Sequence, residues 1–247
     1  MLAGWRERGL SHAIVIDPAM PELGAPQVQV LPSAHAIPPG FRPAAIVLAV
    51  KPAYADAALA AVAHVASGTV LLSIMAGRTL AGLQAAIPGA AMVRAMPNTP
   101  AAIRQGITVA CAGPGVTAEQ RALCDELLGA VGEVAWVSDE GLIDAVTAVS
   151  GGGPAYVFLL AELMEQAAIA QGIPAPLARL LARRTVSGSG ALLAASTEDA
   201  SVLRRNVTSR AGTTERALHV LMADGAWPAL INQAIAAATA RSRELAG

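Results

Sequence analysis

The stretch Ala45-Ile46-Val47-Leu48-Ala49-Val50-Lys51-Pro52 is an uninterrupted apolar run halted by a cation and a proline. A short run without polar alternation reads as a strand buried on both faces, the mark of a parallel sheet covered by helices. The pattern recurs on either side. Ala13-Ile14-Val15-Ile16-Asp17 stops at Asp-Pro, Thr69 to Ile74 ends at Met75-Ala76-Gly77-Arg78, and Ala90 to Ala95 leads into Met96-Pro97-Asn98-Thr99-Pro100. Gly106 to Ala112 and Glu133 to Val137 follow as strands. Met1 to Gly9 reads as the tail of a short amphipathic helix, Tyr54 to Ala66 and Leu80 to Ala86 as helices, and Thr117 with Gln120 has capping-box spacing for another. Strands alternating with helices predict an α/β fold with a doubly wound parallel sheet.

The pattern changes beyond Ser138. The remaining segments read as helices separated by Gly151-Gly152-Gly153-Pro154, by Gly172-Ile173-Pro174 and by Val207 to Thr214. The expectation is two domains: residues 1–137 forming a sheet domain, and 138–247 forming an all-α domain. The helix after Pro154 is apolar at consecutive positions from Ala155 to Ala161, more than one face requires. It is either the central helix of a bundle or, the preferred reading, a helix covered by a second subunit. Gly188 and Gly190 lie among small residues and read as close helix packing, since Leu193 stands where GxGxxG needs its last glycine.

Composition narrows the function. Lys plus Arg number 17 against 18 Asp plus Glu, and aromatic residues make up 3%. Both the charge and the stacking rings of a nucleic-acid binder are missing. A hydrophobic share of 54% against 14% charged excludes a disordered chain. The apolar runs are too short to span a bilayer, and the start has no secretory pattern, so no membrane partner and a cytoplasmic location are expected. Cys111 and Cys124 are too far apart for a CxxC pair, and His12, His35, His64 and His219 form no zinc-like array, so neither a disulfide nor a metal is expected.

Ligands of open parallel sheets bind beyond the carboxyl ends of the strands. Asp17 at such an end can accept hydrogen bonds from dinucleotide ribose hydroxyls, or simply form an Asp-Pro turn. Lys51 either stands beside a cofactor or is solvated. Ser73 to Gly77 offers close backbone approach, or only a tight turn. Asn98, between two prolines, is the strongest of these, because a rigid turn holds one amide in place. In the helical half, Ser209-Arg210-Ala211-Gly212-Thr213-Thr214-Glu215 precedes a helical pattern. That helix start is a ready carboxylate site, or Thr213 or Thr214 merely caps it. Glu140 reads as a first-turn acid.

With these residues in view, the chain resembles the pyrroline-5-carboxylate reductase family over essentially its whole length. The resemblance rests on Ala49-Val50-Lys51-Pro52, on Val93-Arg94-Ala95-Met96-Pro97-Asn98-Thr99-Pro100-Ala101, and on Asp144 to Tyr156. Val207-Thr208-Ser209 and Gly212-Thr213-Thr214 complete it. It implies a Rossmann-type domain binding NADPH or NADH and a helical domain that interlocks with its partner in a homodimer, often assembled into rings. It implies that Ala49, Val50, Lys51 and Pro52, with Ile74, Met75, Ala76 and Asn206, line the cofactor. Glu140, Thr213 and Thr214 would contact the substrate, with Ser209 and Gly212 shaping the carboxylate pocket. The implied reaction is hydride transfer to the C=N carbon of 1-pyrroline-5-carboxylate, giving L-proline, with the Thr214 hydroxyl on the ring nitrogen.

The chain also departs from the family. The first strand and the GxGxxG turn have no counterpart, and Met1-Leu2-Ala3-Gly4-Trp5 resembles the helix that follows that turn. The expectation is a sheet without a central strand, with Met1 an internal methionine or the chain a truncated, cofactor-poor one. Gly152 replaces a usual serine and Arg210-Ala211 a usual Pro-Gly. Asp17 favours NADH by repelling a 2'-phosphate, whereas the family often uses NADPH. Competing readings are a reductase of another cyclic imine, a small hydroxy-acid dehydrogenase, and a non-catalytic dimeric scaffold. Pro154 to Gly172 lacks the lysine base that the dehydrogenase needs.

Overall fold

A computed structural model of the chain describes residues 1–246. It divides into two compact units. The first comprises Met1–Gly151 with the described residues from Ala238 onward, and the second Gly152–Ala237. The division falls after Gly151, later than the change in sequence character at Ser138.

The first unit begins with α1 (Leu2–Glu7), β1 (Ala13–Ile16), β2 (Val28–Leu31) and β3 (Ala45–Leu48). Next come α2 (Ala55–Val62), β4 (Val70–Ser73), α3 (Leu80–Ala86) and β5 (Ala91–Met96). It closes with β6 (Gly106–Ala112), α4 (Ala118–Gly129), β7 (Gly132–Val137) and α5 (Leu142–Val146). Strands β3-β4-β5-β6-β7 form one sheet in that order, and β1 pairs in parallel with β2 in a separate two-stranded sheet. The expected sheet without a central strand takes this form: among the described residues no strand joins β1 to β3.

Side chains alternate across the five-stranded sheet as strand geometry requires. Leu48, Leu71, Met92 and Val109 pack with Leu59, Leu83 and Ile143 on the face of α2, α3 and α5. Val70, Leu72, Val93 and Ala110 pack with Cys124 and Leu128 on the face of α4, joined by Met1. Each fully buried leucine contributes about 1.5–3 kcal/mol. Helices therefore cover both faces, as expected of a doubly wound fold. The expectation of an all-parallel sheet needs correction, because β6 runs antiparallel to β5, pairing Met96 with Val109. The nine residues from Pro97 to Gln105 are too few for the crossover a parallel pair needs. Burial pushes the Cys124 thiol from 9.0 to about 11. The capping box of Thr117 and Gln120 opens α4 as its spacing predicts.

The second unit is helical: α6 (Gly153–Ala170), α7 (Ala175–Ala195), α8 (Ala200–Asn206), α9 (Thr213–Leu221) and the start of α10 (Trp227–Ala246). No residue of α6 is buried, and Phe158, Leu159 and Leu163 are more than half exposed. A central bundle helix is therefore not what the chain builds. Nothing lies within 4 Å of a Cβ placed on Gly188 or Gly190, so the close helix packing expected there is not made within the chain. The expectation that no segment is long enough for a membrane also needs correction. The helical stretch Leu142–Ala170 is long and apolar enough by length and composition, because it tolerates isolated acids that interrupt a run of residues.

Candidate functional site

In the first unit the strand ends carry the expected residues. Asp17 follows β1, its amide bonded to Leu31 O and its Oδ1 accepting from Ala19 N at 2.9 Å. That is an Asx turn, so one carboxylate oxygen is spent locally and the other makes no hydrogen bond among the described residues. Ala49, Val50, Lys51 and Pro52 are all exposed beyond β3, with Lys51 O accepting from Tyr54 N at 2.9 Å. Beyond β4, Ile74 N reaches back to Leu48 O at 3.1 Å, Met75 is buried in the core and Ala76 is exposed. A ligand at this edge can meet the backbone of Met75 but not its side chain.

Asn98 follows β5, and its Oδ1 accepts from Ile107 N at 3.0 Å. The amide predicted to be held rigidly is held, by pinning the start of β6, which leaves Nδ2 as its outward donor. These strand ends suit a dinucleotide's ribose and nicotinamide. No G-x-G-x-x-G turn for a pyrophosphate occurs in the sequence.

Glu140 belongs to this unit as well. Its Oε1 accepts from Arg94 Nη1 at 2.8 Å and from Leu80 N at 2.7 Å, while Oε2 makes no hydrogen bond among the described residues. Arg94 is nearly fully buried. Sequence reading gave Arg94 no role, although a cation inside an otherwise apolar strand signals a buried partner.

In the second unit, Asn206 ends α8, and its Nδ2 donates to Glu198 Oε2 at 3.4 Å. The turn that follows brings Ser209, Gly212, Thr213 and Thr214 together. Gly212 N donates to Ser209 O at 3.1 Å, and a Cβ on Gly212 would lie 2.4 Å from Ser209 Oγ. Only glycine lets the serine side chain tuck in there. Gly212 is the N-cap of α9 and supplies no side-chain cap. The first amides of the helix thus keep their donors, and its dipole presents positive charge. The hydroxyls of Thr213 and Thr214 make no hydrogen bonds among the described residues. The alternative that one of them caps the helix is therefore not realised.

Glu215 was missed by sequence reading. Its Oε2 accepts from Ala211 N at 2.8 Å and so braces the turn. Ala211 has φ +57, a left-handed conformation in which the family's usual glycine is at ease and alanine is strained by about 1–2 kcal/mol. Ala211→Gly is expected to raise stability by up to about 1 kcal/mol, reduced by glycine's greater unfolded-state freedom. Urea denaturation of both proteins measures this. An open groove of about 620 Å³ beside α8 and α9 is lined by residues including Arg204, Arg205, Thr208 and His219. It does not include Ser209 or Gly212 to Thr214.

In the second unit the start of α9 can bind a small carboxylate at uncapped amides and offer a free hydroxyl beside it; in the first unit the strand ends can meet a dinucleotide. Comparison with known proteins gives the same direction. Residues 140–245 match the family model described as pyrroline-5-carboxylate reductase dimerisation. The pyrroline-5-carboxylate reductase of Synechocystis sp. is 40% identical over 200 residues, covering 81% of this chain and 74% of the relative. The solved structure of a pyrroline-5-carboxylate reductase from Coxiella burnetii matches with TM-score 0.83 at 34% identity, covering 89% of this chain and 82% of that one. The Plasmodium falciparum pyrroline carboxylate reductase, solved with NADP bound, shares the fold with TM-score 0.83 at 24% identity, covering 99% of this chain and 92% of that one. On this sequence and fold similarity, the chain belongs to the pyrroline-5-carboxylate reductase family.

Proposed function

We propose that this protein reduces 1-pyrroline-5-carboxylate to L-proline with NADPH or NADH, working as a homodimer, or a ring of dimers, in the cytoplasm. The observation that carries the reading is the uncapped start of α9, where unspent amides stand beside the free hydroxyls of Thr213 and Thr214. In this reading residues 1–137 bind the dinucleotide through Asp17, Ala49 to Pro52, Ile74 to Ala76 and Asn98. Residues 138–247 bind the substrate and the partner subunit, and Asn206 adds a further cofactor contact. The exposed apolar side of α6 is the surface the partner covers.

When bound, the reduced nicotinamide supplies the hydride. The residues of the chain supply position. Ser209, Gly212 and Thr213 hold the carboxylate at the helix start; Glu140, an acceptor that repels a carboxylate, is a substrate contact elsewhere on the ring. Thr214 donates its hydroxyl hydrogen to the ring nitrogen, orienting the C=N bond. That bond to the neutral nitrogen makes the C=N carbon electrophilic, and once the hydride has arrived the nitrogen takes the hydroxyl proton, which solvent replaces, so holding two reactants together does most of the work.

The separation of β1 and β2 from the larger sheet favours a second reading, a helical dimer without catalysis. Absorbance of NADPH and NADH, followed with and without 1-pyrroline-5-carboxylate, decides between them. Oxidation that requires the imine supports the reductase; a dimer that neither binds nor oxidises either dinucleotide supports the scaffold.

A further inference from the structure

Arg94 is the one charged residue of β5, and its side chain is 3% exposed on the face where Met92 and Met96 pack. Its Nε has no hydrogen-bond partner among the described residues. A cation taken from water, even paired with a partly exposed carboxylate, seldom stabilises a fold more than well-packed apolar bulk of the same size. Stability alone is thus a poor reason for a cation at this position, and the geometry supplies a better one. The Glu140 oxygen that accepts from Arg94 also accepts from the amide of Leu80, the first residue of α3.

Between Ser73, the last residue of β4, and Leu80 lies the segment Ile74-Met75-Ala76-Gly77-Arg78-Thr79. Its near end is tied by Ile74 N to Leu48 O at 3.1 Å and by Met75 N to Ser73 Oγ at 3.4 Å. In its middle Gly77 adopts φ +68, and a Cβ there would lie 3.2 Å from Leu245 O. At its far end Thr79 accepts from Gly82 N at 3.1 Å. Among the described residues the Leu80 amide is held only by Glu140, itself held by Arg94. Cys111, opposite Arg94 in the strand register, does not compete for the guanidinium. Burial, reinforced by the charge of Glu140, keeps its thiol protonated against the pull of Arg94.

We propose that Arg94 is a positioning residue: acting through Glu140, it fixes the first amide of α3 and thereby the shape of the Ile74–Gly77 loop that faces the dinucleotide. The loop's contact with a dinucleotide rests on the reductase reading above, whereas the fixing of the loop rests on the geometry alone.

Two variants test it. Arg94→Met with Glu140→Leu exchanges the ion pair for apolar bulk and so keeps the fold, but leaves the Leu80 amide without its acceptor. Glu140→Asp keeps the charge beside Arg94 and is too short to reach both partners. In each, hydrogen exchange at Leu80 is expected to accelerate about tenfold or more while β4 and β5 stay protected. The dinucleotide KM, for NADPH and NADH alike, should rise about tenfold and more than the imine KM, which the substrate contact of Glu140 also moves. Unchanged exchange at Leu80, or faster exchange with unchanged dinucleotide affinity, overturns the proposal. A rise confined to the imine KM in Glu140→Asp also overturns it and assigns Glu140 to the substrate. A wild-type protein that binds no dinucleotide overturns the reductase reading instead, and the exchange result at Leu80, which needs no cofactor, still decides whether Arg94 fixes the loop. If the double variant fails to fold, Glu140→Asp decides alone.

Discussion

Replacing Gly132 by alanine is expected to remove at least about 4 kcal/mol of stability, enough to leave most of the chain unfolded at moderate temperature. Gly132 opens β7 and pairs with Gly106 at the start of β6. It has φ +149, and a Cβ there would stand 2.0 Å from Gly106 O and 2.6 Å from Gly106 N. Those are backbone atoms of a paired strand, which cannot swing aside like the end of a side chain. Relief requires the two strands to part, which breaks the bond from Gly106 N to Val131 O. Gly129, at the end of α4, is the control. A Cβ there meets nothing closer than 3.5 Å, and alanine in a helix gains up to about 1 kcal/mol over glycine. Urea denaturation of both variants measures the contrast. A Gly132→Ala protein within about 1 kcal/mol of the wild type would mean that the β6–β7 register is not as described.

Much of this arrangement was legible in the residues. Apolar runs closed by Asp-Pro or Lys-Pro located β1 and β3 to within a residue or two, because a strand buried on both faces needs continuous hydrophobicity and its exit needs a turn. Strand direction was not legible, since apolarity carries no arrow; only the shortness of Pro97 to Gln105 forbids a parallel crossover between β5 and β6. β2 escaped notice because Val28-Gln29-Val30-Leu31 is four residues long and lies in a glycine- and proline-rich stretch that reads as loop.

The candidate site was legible as motifs and not as contacts. Asn98 was singled out for its rigid turn, and the structure shows what the rigidity serves, a bond to Ile107 N. Glu140 was read as a helix acid or a substrate contact. Its bond to Arg94 joins residues far apart in sequence, and no local pattern encodes it. The bracing of Ala211 by Glu215 spans four residues and could have been noticed, since an acid in the first turn of a helix commonly reaches back to an exposed amide.

Thr214→Val should lower turnover about a hundredfold or more while leaving the fold intact. Thr214 lies in the first turn of α9, half-buried, and its hydroxyl makes no hydrogen bond among the described residues. Valine keeps the shape and removes only the hydroxyl, so the folded chain loses no internal partner and its stability should change by less than about 1 kcal/mol. In the reductase reading that hydroxyl, carried on the first turn of α9, meets the ring nitrogen as hydride reaches the adjacent carbon. Removing one such donor typically costs about 10² to 10³ in turnover. Ground-state binding depends mainly on the carboxylate at the helix start, where charge-assisted bonds from backbone amides survive the substitution. The loss should therefore fall on kcat, with the imine KM changed less than about threefold. Thr214→Ser restores the hydroxyl and should recover most of the rate. Steady-state kinetics of the three proteins separate the possibilities: equal kcat in Thr214→Val removes the hydroxyl from the mechanism, and a loss carried by KM makes Thr214 a carboxylate ligand.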